Sequence, residues 1–418
     1  MKLIIGGGLS GRGAAKLLIK LGQRVRVSDG GHIETTRATE LKELGVEVAD
    51  GGHSPSHLDG IDEVIVSPGL ASDHPLLTLA RAKGLPLTSE IDLALGHYDG
   101  NVIAITGTNG KSTVTKMVEH LLNKLALGAT SAGNIGDPPS LQIAEERTKG
   151  FMALELSSYQ LADSKNLSFD ACAITSLSPD HLGKHGDLKT YYGAKFKLID
   201  RANPGARIVI GESVVGFAQR SDVELIKITS EQLKEHSWPS RVFLFRHNQV
   251  NALMATRLVE KFSDNPVPIG LLADFTPPPY RCEFVGTING HAVINDSKST
   301  NLASTFAALE GFKEPVNLWV GGQAKDEDFA DLADLKLCSL TVFGKAGDTI
   351  LKALADRELD FGINYFPTLK AACQALTAKS SKNKAAILFS PACASFDEFA
   401  NFEDRGQNFN RWIENILD

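Results

Sequence analysis

Cysteine is scarce and scattered. The five residues, Cys172, Cys282, Cys338, Cys373 and Cys393, are odd in number and form no CxxC pair. That excludes a disulfide framework and a cysteine-based zinc site. Isolated reduced thiols fit a cytoplasmic protein. No stretch reaches the roughly 18 apolar residues of a membrane span, so membrane insertion is not expected. The opening Met1-Lys2-Leu3-Ile4-Ile5, followed by glycines, has too short an apolar run for a signal peptide. A basic excess is also missing. The net charge is −7, which argues against a nucleic-acid partner while leaving room for a local phosphate pocket. There is no short-period repeat and no low-complexity tract.

What is present is ordinary globular material: 418 residues, 43% hydrophobic and 22% charged. At about 100–200 residues per domain, that is two to four domains. Residues 1–90 alternate strand and helix patterns: strands over Leu3–Ile5, Arg24–Val27 and Asp62–Val66, helices over Gly13–Leu21 and Leu76–Lys83. This rhythm predicts parallel sheet with crossover helices. A second unit begins near Tyr98, with strands over Val102–Thr106, Phe151–Leu156 and Asp170–Thr175 and a helix from about Ser112 to Leu125. Thr276-Pro277-Pro278-Pro279-Tyr280 reads as the interdomain linker. Strands over Ala292–Asn295, Asn317–Val320, Leu340–Phe343 and Ala386–Ser390 follow it. The expectation is three α/β domains in series, cut near residues 91 and 278.

The strongest motif is Gly107-Thr108-Asn109-Gly110-Lys111-Ser112-Thr113, between a buried strand and a helix. Glycines let backbone N–H groups turn toward phosphate oxygens, and the helix N-terminus adds positive potential. Lys111 supplies a mobile cation, and Ser112 or Thr113 a hydroxyl for Mg²⁺. Only two residues separate Gly107 from Gly110, where the common phosphate loop has four. Gly6-x-Gly8-x-x-Gly11 with Asp29, 18 residues past Gly11, resembles a dinucleotide fingerprint and suits any pyrophosphate. The bland alternative is tight strand–helix packing without a ligand. Glu155 and Asp180-His181 end neighbouring strands and could hold Mg²⁺. Lys195 lies on a probable helix face, where nothing in the pattern separates it from Lys197. The run Asn295 to Asn301 places an acid, a base and hydroxyls at a sheet edge, where N-capping alone would also explain it. Cys393 has no identifiable histidine partner and does not read as a nucleophile.

Together, and in this order, these motifs resemble the Mur ligases, the ATP-dependent amino-acid-adding enzymes of peptidoglycan synthesis. The resemblance rests on Gly107–Thr113, on Leu154-Glu155-Leu156-Ser157-Ser158-Tyr159-Gln160-Leu161, on Asp180-His181-Leu182 and on Asn295-Asp296-Ser297-Lys298. It spans essentially the whole chain. Within the family the chain looks most like the members that add D-glutamate to UDP-N-acetylmuramoyl-L-alanine. The features behind this are the short N-terminal Gly6–Gly11 domain, Ser157-Ser158-Tyr159-Gln160, and the run from Ser390 to Gly406.

The resemblance implies a Rossmann-like uridine-nucleotide domain (1–90), a central P-loop ATPase-like domain (91–277) and a Rossmann-like C-terminal domain (278–418) that closes on ATP and binds the amino acid. It assigns Leu9, Ser10, Asp29, Gly69, Asn134 and His181 to the sugar nucleotide. ATP falls to the Gly107–Thr113 loop with Asn251, Arg281 and Asp296. D-glutamate falls to Lys298, Thr300, Lys325, Ser395 and Phe402. Two Mg²⁺ ions would be held by Ser112, Glu155, His181 and a carbamylated Lys195, and Lys111, His181, Lys195 and Lys298 would serve the chemistry. The implied partners are small molecules, and the implied state is a cytoplasmic monomer. One departure stands out. Family members usually follow the N-terminal aspartate with Thr and Arg, whereas Asp29 is followed by Gly30 and Gly31. Two nucleotide contacts are therefore missing or supplied elsewhere, with His32 and Arg37 as candidates. The competing readings are a folylpolyglutamate-type ligase, which lacks residues 1–90, and a nicotinamide-dependent dehydrogenase, which leaves Lys111 unexplained. A nucleotide-gated binding protein without turnover is a third.

Overall fold

The computed structural model describes residues 1–71, 73–180, 185–325, 327–376 and 385–417. His181 lies outside the described residues. The chain forms two compact units, Met1–Pro239 with Val250–Phe275, and Ser240–Gln249 with Thr276–Asp418. The second boundary therefore falls just before the triple proline. The position near residue 91 does not divide compact units, but it does lie between one sheet and the next.

The first sheet comprises β1 (Lys2–Ile5), β2 (Val25–Ser28), β3 (Glu47–Ala49), β4 (Glu63–Val66) and β5 (Leu87–Ser89), in the order 3-2-1-4-5. All its pairings are parallel. The strands β1 (Lys-Leu-Ile-Ile) and β4 (Glu-Val-Ile-Val) are short and largely apolar, as expected where helices cover both faces. The helix Leu9–Lys20 starts soon after β1 and buries Ala14, Ala15, Leu17 and Leu18. Gly11 makes this packing possible, because a Cβ there would overlap the Gly6 carbonyl. Part of the glycine fingerprint is thus needed for strand–helix contact alone.

The second sheet, also in the first unit, comprises β6 (Asn101–Thr106), β7 (Ala129–Gly133), β8 (Phe151–Glu155), β9 (Phe169–Ile174), β10 (Ala202–Ile210) and β11 (Glu224–Lys227). Its order is 11-10-9-6-8-7, and it is parallel throughout. β6 lies between β8 and β9, so the chain order reverses there. Ligands of open parallel sheets bind at the carboxyl ends of the strands at such a switch point. Every residue of β8 is buried, which places Glu155 in an otherwise apolar layer. Met152, Leu154, Cys172, Ile174 and Ile208 form the core around it.

The third sheet belongs to the second unit. It comprises β12 (Glu283–Ile288), β13 (His291–Asn295), β14 (Val316–Gly321), β15 (Leu337–Phe343), β16 (Gly362–Phe366) and β17 (Ile387–Ala392). Its order is 12-13-17-14-15-16. Only the β12–β13 hairpin is antiparallel. The strands β13, β17 and β14 are neighbours, so their following loops share one edge.

In the first unit, Glu90 begins a helix (Glu90–Leu95) and is buried. Its Oε1 accepts the Ser140 amide N–H at 3.0 Å and the Ser140 hydroxyl. It thereby serves the first turn of the helix Pro139–Ala144, which has no side-chain cap of its own. Burial pushes the carboxyl up to about 7, against the opposing hydrogen bonds from Ser140. The folded state therefore holds a proton that the unfolded chain releases near its ordinary value of 4.5. Stability contributed by the neutral acid is complete below that value and is lost as pH rises toward 7. Glu90→Gln should flatten this segment of the stability profile, as read by urea unfolding midpoints between about pH 4.5 and 8. A wild-type midpoint that does not fall over that range relative to the variant would count against it.

Candidate functional site

Three loops meet at the carboxyl edge of the second sheet: those after β6, β8 and β9. The β6 loop turns into the helix Lys111–Lys124 at Gly110, whose φ of +88° is left-handed. A side chain at that position would be strained, and its Cβ would also crowd Asn251 Oδ1 at 2.6 Å. The helix opens without a side-chain cap, leaving its first turn to meet an anion. The β9 loop clamps the turn in place. Thr108 N–H donates to the Ser176 carbonyl at 2.8 Å, and Asn109 N–H to Ser176 Oγ at 2.9 Å. Thr175 Oγ1 donates to the Asn109 carbonyl at 2.5 Å.

Two lysines converge on this turn. Lys111 Nζ donates to the carbonyls of Gly107 and Thr108, each at 2.9 Å. Lys195 Nζ, on the helix Leu188–Asp200, donates to the same Gly107 carbonyl at 2.6 Å. Lys195 is only 1% exposed, and its Nζ stands 4.6 Å from the centre of the Tyr191 ring. Burial holds the Lys195 ammonium well below the usual lysine range. The Lys111 charge pushes it the same way, while Asp180 and Glu155 oppose. Lys195 is thus set apart from Lys197, whose Nζ reaches an exposed carbonyl, that of Ala162.

Glu155 is 1% exposed. Its Oε1 accepts Asn134 Nδ2–H at 2.8 Å, and Asn134 N–H donates to the Glu155 carbonyl at 2.9 Å. The other oxygen, Oε2, is buried with no hydrogen-bond partner among the described residues. A buried carboxylate oxygen left unpaired is costly unless a hydrogen-bond donor or a cation meets it. Ser112 and Thr113 are buried at the head of the loop helix. The structure thus brings together the loop, Asn251, Glu155, Asn134 and Lys195.

At the edge of the first sheet, Leu9, Ser10, Asp29 and Gly69 follow β1, β2 and β4. Asp29 Oδ2 accepts Gly7 N–H at 2.6 Å, and Oδ1 accepts Gly31 N–H at 2.9 Å. Its first task is to tie two glycine turns together. His32 is exposed and faces Asp50 at 3.6 Å, and Arg37 pairs with Glu34 at 3.5 Å. Neither side chain comes within 4 Å of the Cβ position at Gly30.

The second unit has its own edge cluster. Asp296, after β13, is buried, accepting Ser299 Oγ–H at 2.5 Å, Ser390 Oγ–H at 2.8 Å and Cys282 N–H at 3.2 Å. Burial raises this carboxyl to about 6, and the hydroxyls, the Cys282 amide and the Arg281 charge pull it down. Lys298 Nζ sits 4.1 Å from the centre of the Phe402 ring. Thr300 is half-buried, Ser395 buried and Lys325 exposed. Cys393 is buried and its thiol is pushed far up by burial, so it is inert as a nucleophile.

Sequence reasoning missed the residue that holds this cluster. Arg405, on the helix Phe402–Glu414, is fully buried. It donates Nε–H to Ser297 Oγ at 3.0 Å, Nη2–H to the Ser297 carbonyl at 2.8 Å, and Nη1–H to the carbonyls of Cys393 at 2.9 Å and Ala394 at 3.3 Å. Ser297 Oγ in turn donates to the Phe402 carbonyl at 2.9 Å. One guanidinium therefore fixes the segments that carry Lys298, Ser395 and Phe402. Its only sequence signal is an arginine before Gly406 in an otherwise amphipathic helix. Similarly, Thr175 and Ser176 give no signal beyond two hydroxyls at a strand end.

Known proteins match this arrangement. Residues 1–89 match the model of the Mur ligase MurD-like N-terminal domain, and residues 105–273 that of the Mur ligase middle domain. The chain is 32% identical to UDP-N-acetylmuramoylalanine--D-glutamate ligase of Exiguobacterium sibiricum over 99% of its length and 96% of that protein. It is 30% identical to the enzyme of the same name from Fervidobacterium nodosum, covering 99% of each chain. Among solved structures, the MurF ligase of Thermotoga maritima in complex with ADP has the same fold. There the TM-score is 0.61 and the identity 14%, over 94% of this chain and 95% of that one. The chain belongs to the Mur ligases, within the family of UDP-N-acetylmuramoylalanine--D-glutamate ligases.

Arg405→Met should destabilise the second unit, because it strands Ser297, Cys393 and Ala394 oxygens without donors. The expected loss is about 3–5 kcal/mol, typical of breaking a buried charge network. Urea unfolding followed by Trp319 and Trp412 fluorescence reports it; a loss below about 1 kcal/mol would show the network to be dispensable.

Proposed function

We propose that the chain is an ATP-dependent amide ligase that adds D-glutamate to UDP-N-acetylmuramoyl-L-alanine in the cytoplasm. The observation that carries this is the convergence of Lys111 and Lys195 on the Gly107 carbonyl at a sheet switch point, near the charge of Glu155. Full-length identity to ligases of that name supports the choice of substrates. In domain terms, we read 1–90 as the sugar-nucleotide domain, 91–277 as the ATPase domain and 278–418 as the amino-acid domain.

A carboxylate and an amine do not condense in water without activation. The alanyl carboxylate oxygen attacks the γ-phosphorus of ATP, ADP departs, and an acyl phosphate remains. The D-glutamate amine then attacks the acyl carbon, and phosphate and a proton leave. The first step brings two anions together, so positioned positive charge supplies most of the gain. Lys111 leaves its two carbonyls to meet the β- and γ-phosphates, the amides of the Lys111–Lys124 helix face the same oxygens, and Asn251 beside Gly110 orients adenine. Leu9, Ser10, Asp29, Gly69 and Asn134 hold the sugar nucleotide. Arg281 and Asp296 also serve the nucleotide. Lys298, Thr300, Lys325, Ser395 and Phe402 receive D-glutamate, whose two carboxylates suit the lysines.

Mg²⁺ fits the oxygen donors present. The unpaired Oε2 of Glu155 and the Ser112 hydroxyl would hold it, with His181 and Lys195 as further ligands. When bound, the ion neutralises phosphate charge and orients the γ-phosphoryl group. Lys195 suits this set only as an anion. A lysine held below its usual range by burial is more readily the free amine that attacks carbon dioxide: the amine and CO₂ give a carbamate and release a proton.

In a phosphate-release assay with ATP, turnover should require both UDP-N-acetylmuramoyl-L-alanine and D-glutamate. Equal release with L-glutamate, lysine or a folate substrate, or release without the sugar nucleotide, would overturn the assignment. Lys195→Ala should lose turnover by about 100-fold or more, on the order of removing a positioned metal ligand, and formate or acetate should partly restore it. No recovery would leave the carbamate without support.

A further inference from the structure

Two glycines, Gly30 and Gly31, follow Asp29, and the structure shows what stands over the first of them. A Cβ on Gly30 would lie 3.1 Å from His53 Nε2. Gly30 carries no side chain, and the imidazole covers the position that one would take. His53 follows β3, on the loop that also carries Gly51 and Gly52. Its Nε2 is directed at the end of β2, next to Asp29.

The hydrogen bonds around this ring fix its proton. Ser28 Oγ lies 2.8 Å from Nδ1 of both His53 and His57. A hydroxyl donates one hydrogen, so it cannot serve both nitrogens in the same way. His57 Nδ1 also faces the Ser54 N–H at 3.4 Å, which makes it the acceptor of the pair. Ser28 then donates to His57 and accepts from His53 Nδ1–H. With Nδ1 already carrying a hydrogen, the site left for a second proton on His53 is Nε2, the nitrogen over Gly30. The titratable and charged groups facing His53 are Asp29 at the end of β2, His57 on the following turn, and His74 before the helix Pro75–Ala82. The His74 ring meets His53 edge-on at 4.7 Å, and its Nδ1 accepts the Leu76 N–H at 3.3 Å.

We propose that His53 contacts the diphosphate of the sugar-nucleotide substrate through Nε2, which stands over Gly30 beside Asp29, the carboxylate tied to the Gly7 turn. This rests on the sugar-nucleotide reading of the first domain. Burial and the neighbouring His74 hold the imidazole below its ordinary value, with Asp29 opposing. A diphosphate beside Nε2 favours the imidazolium, so substrate binding takes up a proton. Affinity is then highest when the imidazolium forms readily and falls as pH rises through neutrality. An arginine in that place would give no such dependence.

The test is calorimetric titration with UDP-N-acetylmuramoyl-L-alanine at about pH 6 and pH 8, on either side of the imidazole range, since its diphosphate diester keeps a constant charge between them. His53→Asn keeps an amide donor for Ser28 and removes Nε2. It should bind about tenfold more weakly than wild type at the lower pH, as expected for a lost charge-assisted contact, and within about twofold at the higher one. His53→Arg should bind with equal affinity at both values. In turnover, the loss in His53→Asn should appear in KM for the sugar nucleotide and not in kcat or in KM for ATP. Equal affinity of His53→Asn and wild type at the lower pH, or a pH dependence retained in His53→Arg, overturns the role of His53 while leaving the ligase reading intact. Wild-type protein that fails to bind the sugar nucleotide at all overturns both.

Discussion

The carbonyl oxygen of Gly107 carries the arrangement of the phosphate loop. Two ammonium groups that share one neutral acceptor, out of water, repel each other strongly. Burial and the Lys111 charge together hold the Lys195 ammonium well below the usual lysine range, and Lys111 is the less enclosed of the two. This single constraint explains several features at once. It leaves Lys111 as the more exposed cation of the two. It also demands negative charge nearby, which Asp180 and Glu155 provide.

The same device recurs on each sheet. A buried or half-buried ionisable group sits at or just past a strand's carboxyl end, held mainly by backbone amides or polar side chains. Asp29 accepts two glycine N–H groups, Glu155 accepts from Asn134, and Asp296 accepts from two serines and an amide. Hydrogen bonds of this kind fix direction without neutralising charge. The sheet edge sets where each group stands. Arg405 is the opposite case: its donors are spent on four internal oxygens, so its work is to position others.

Much of this was legible in the sequence. The strands at Leu3–Ile5, Val102–Thr106 and Phe151–Leu156 read correctly within a residue or so, because fully buried parallel strands are continuous apolar runs between glycines. The loop after β6 was legible because its chemistry is local: glycines, lysine and hydroxyls lie within one short run, Gly107 to Thr113. What was not legible depends on residues far apart in the chain. Nothing in the helix around Lys195 distinguishes it from Lys197; only packing against Gly107, 88 residues away, makes it the buried one. Arg405 likewise acquires its role from Ser297, 108 residues earlier. His32 and Arg37 were the natural candidates beside Gly30 by sequence proximity, yet the ring over Gly30 comes from the far end of the next strand.

Buried ionisable groups are a stability cost, and the chain carries Glu90, Glu155, Lys195, Asp296 and Arg405 within its two units. They are not equivalent. Glu90 has both an amide and a hydroxyl on one oxygen and needs no ligand; a neutral acid there satisfies the helix start it serves. Glu155 has one oxygen engaged and the other without a partner among the described residues. A hydrogen-bond donor or a cation at that oxygen would offset its desolvation. The distinction between the two glutamates is visible in neither composition nor burial. It lies in whether each buried oxygen has been given something to do.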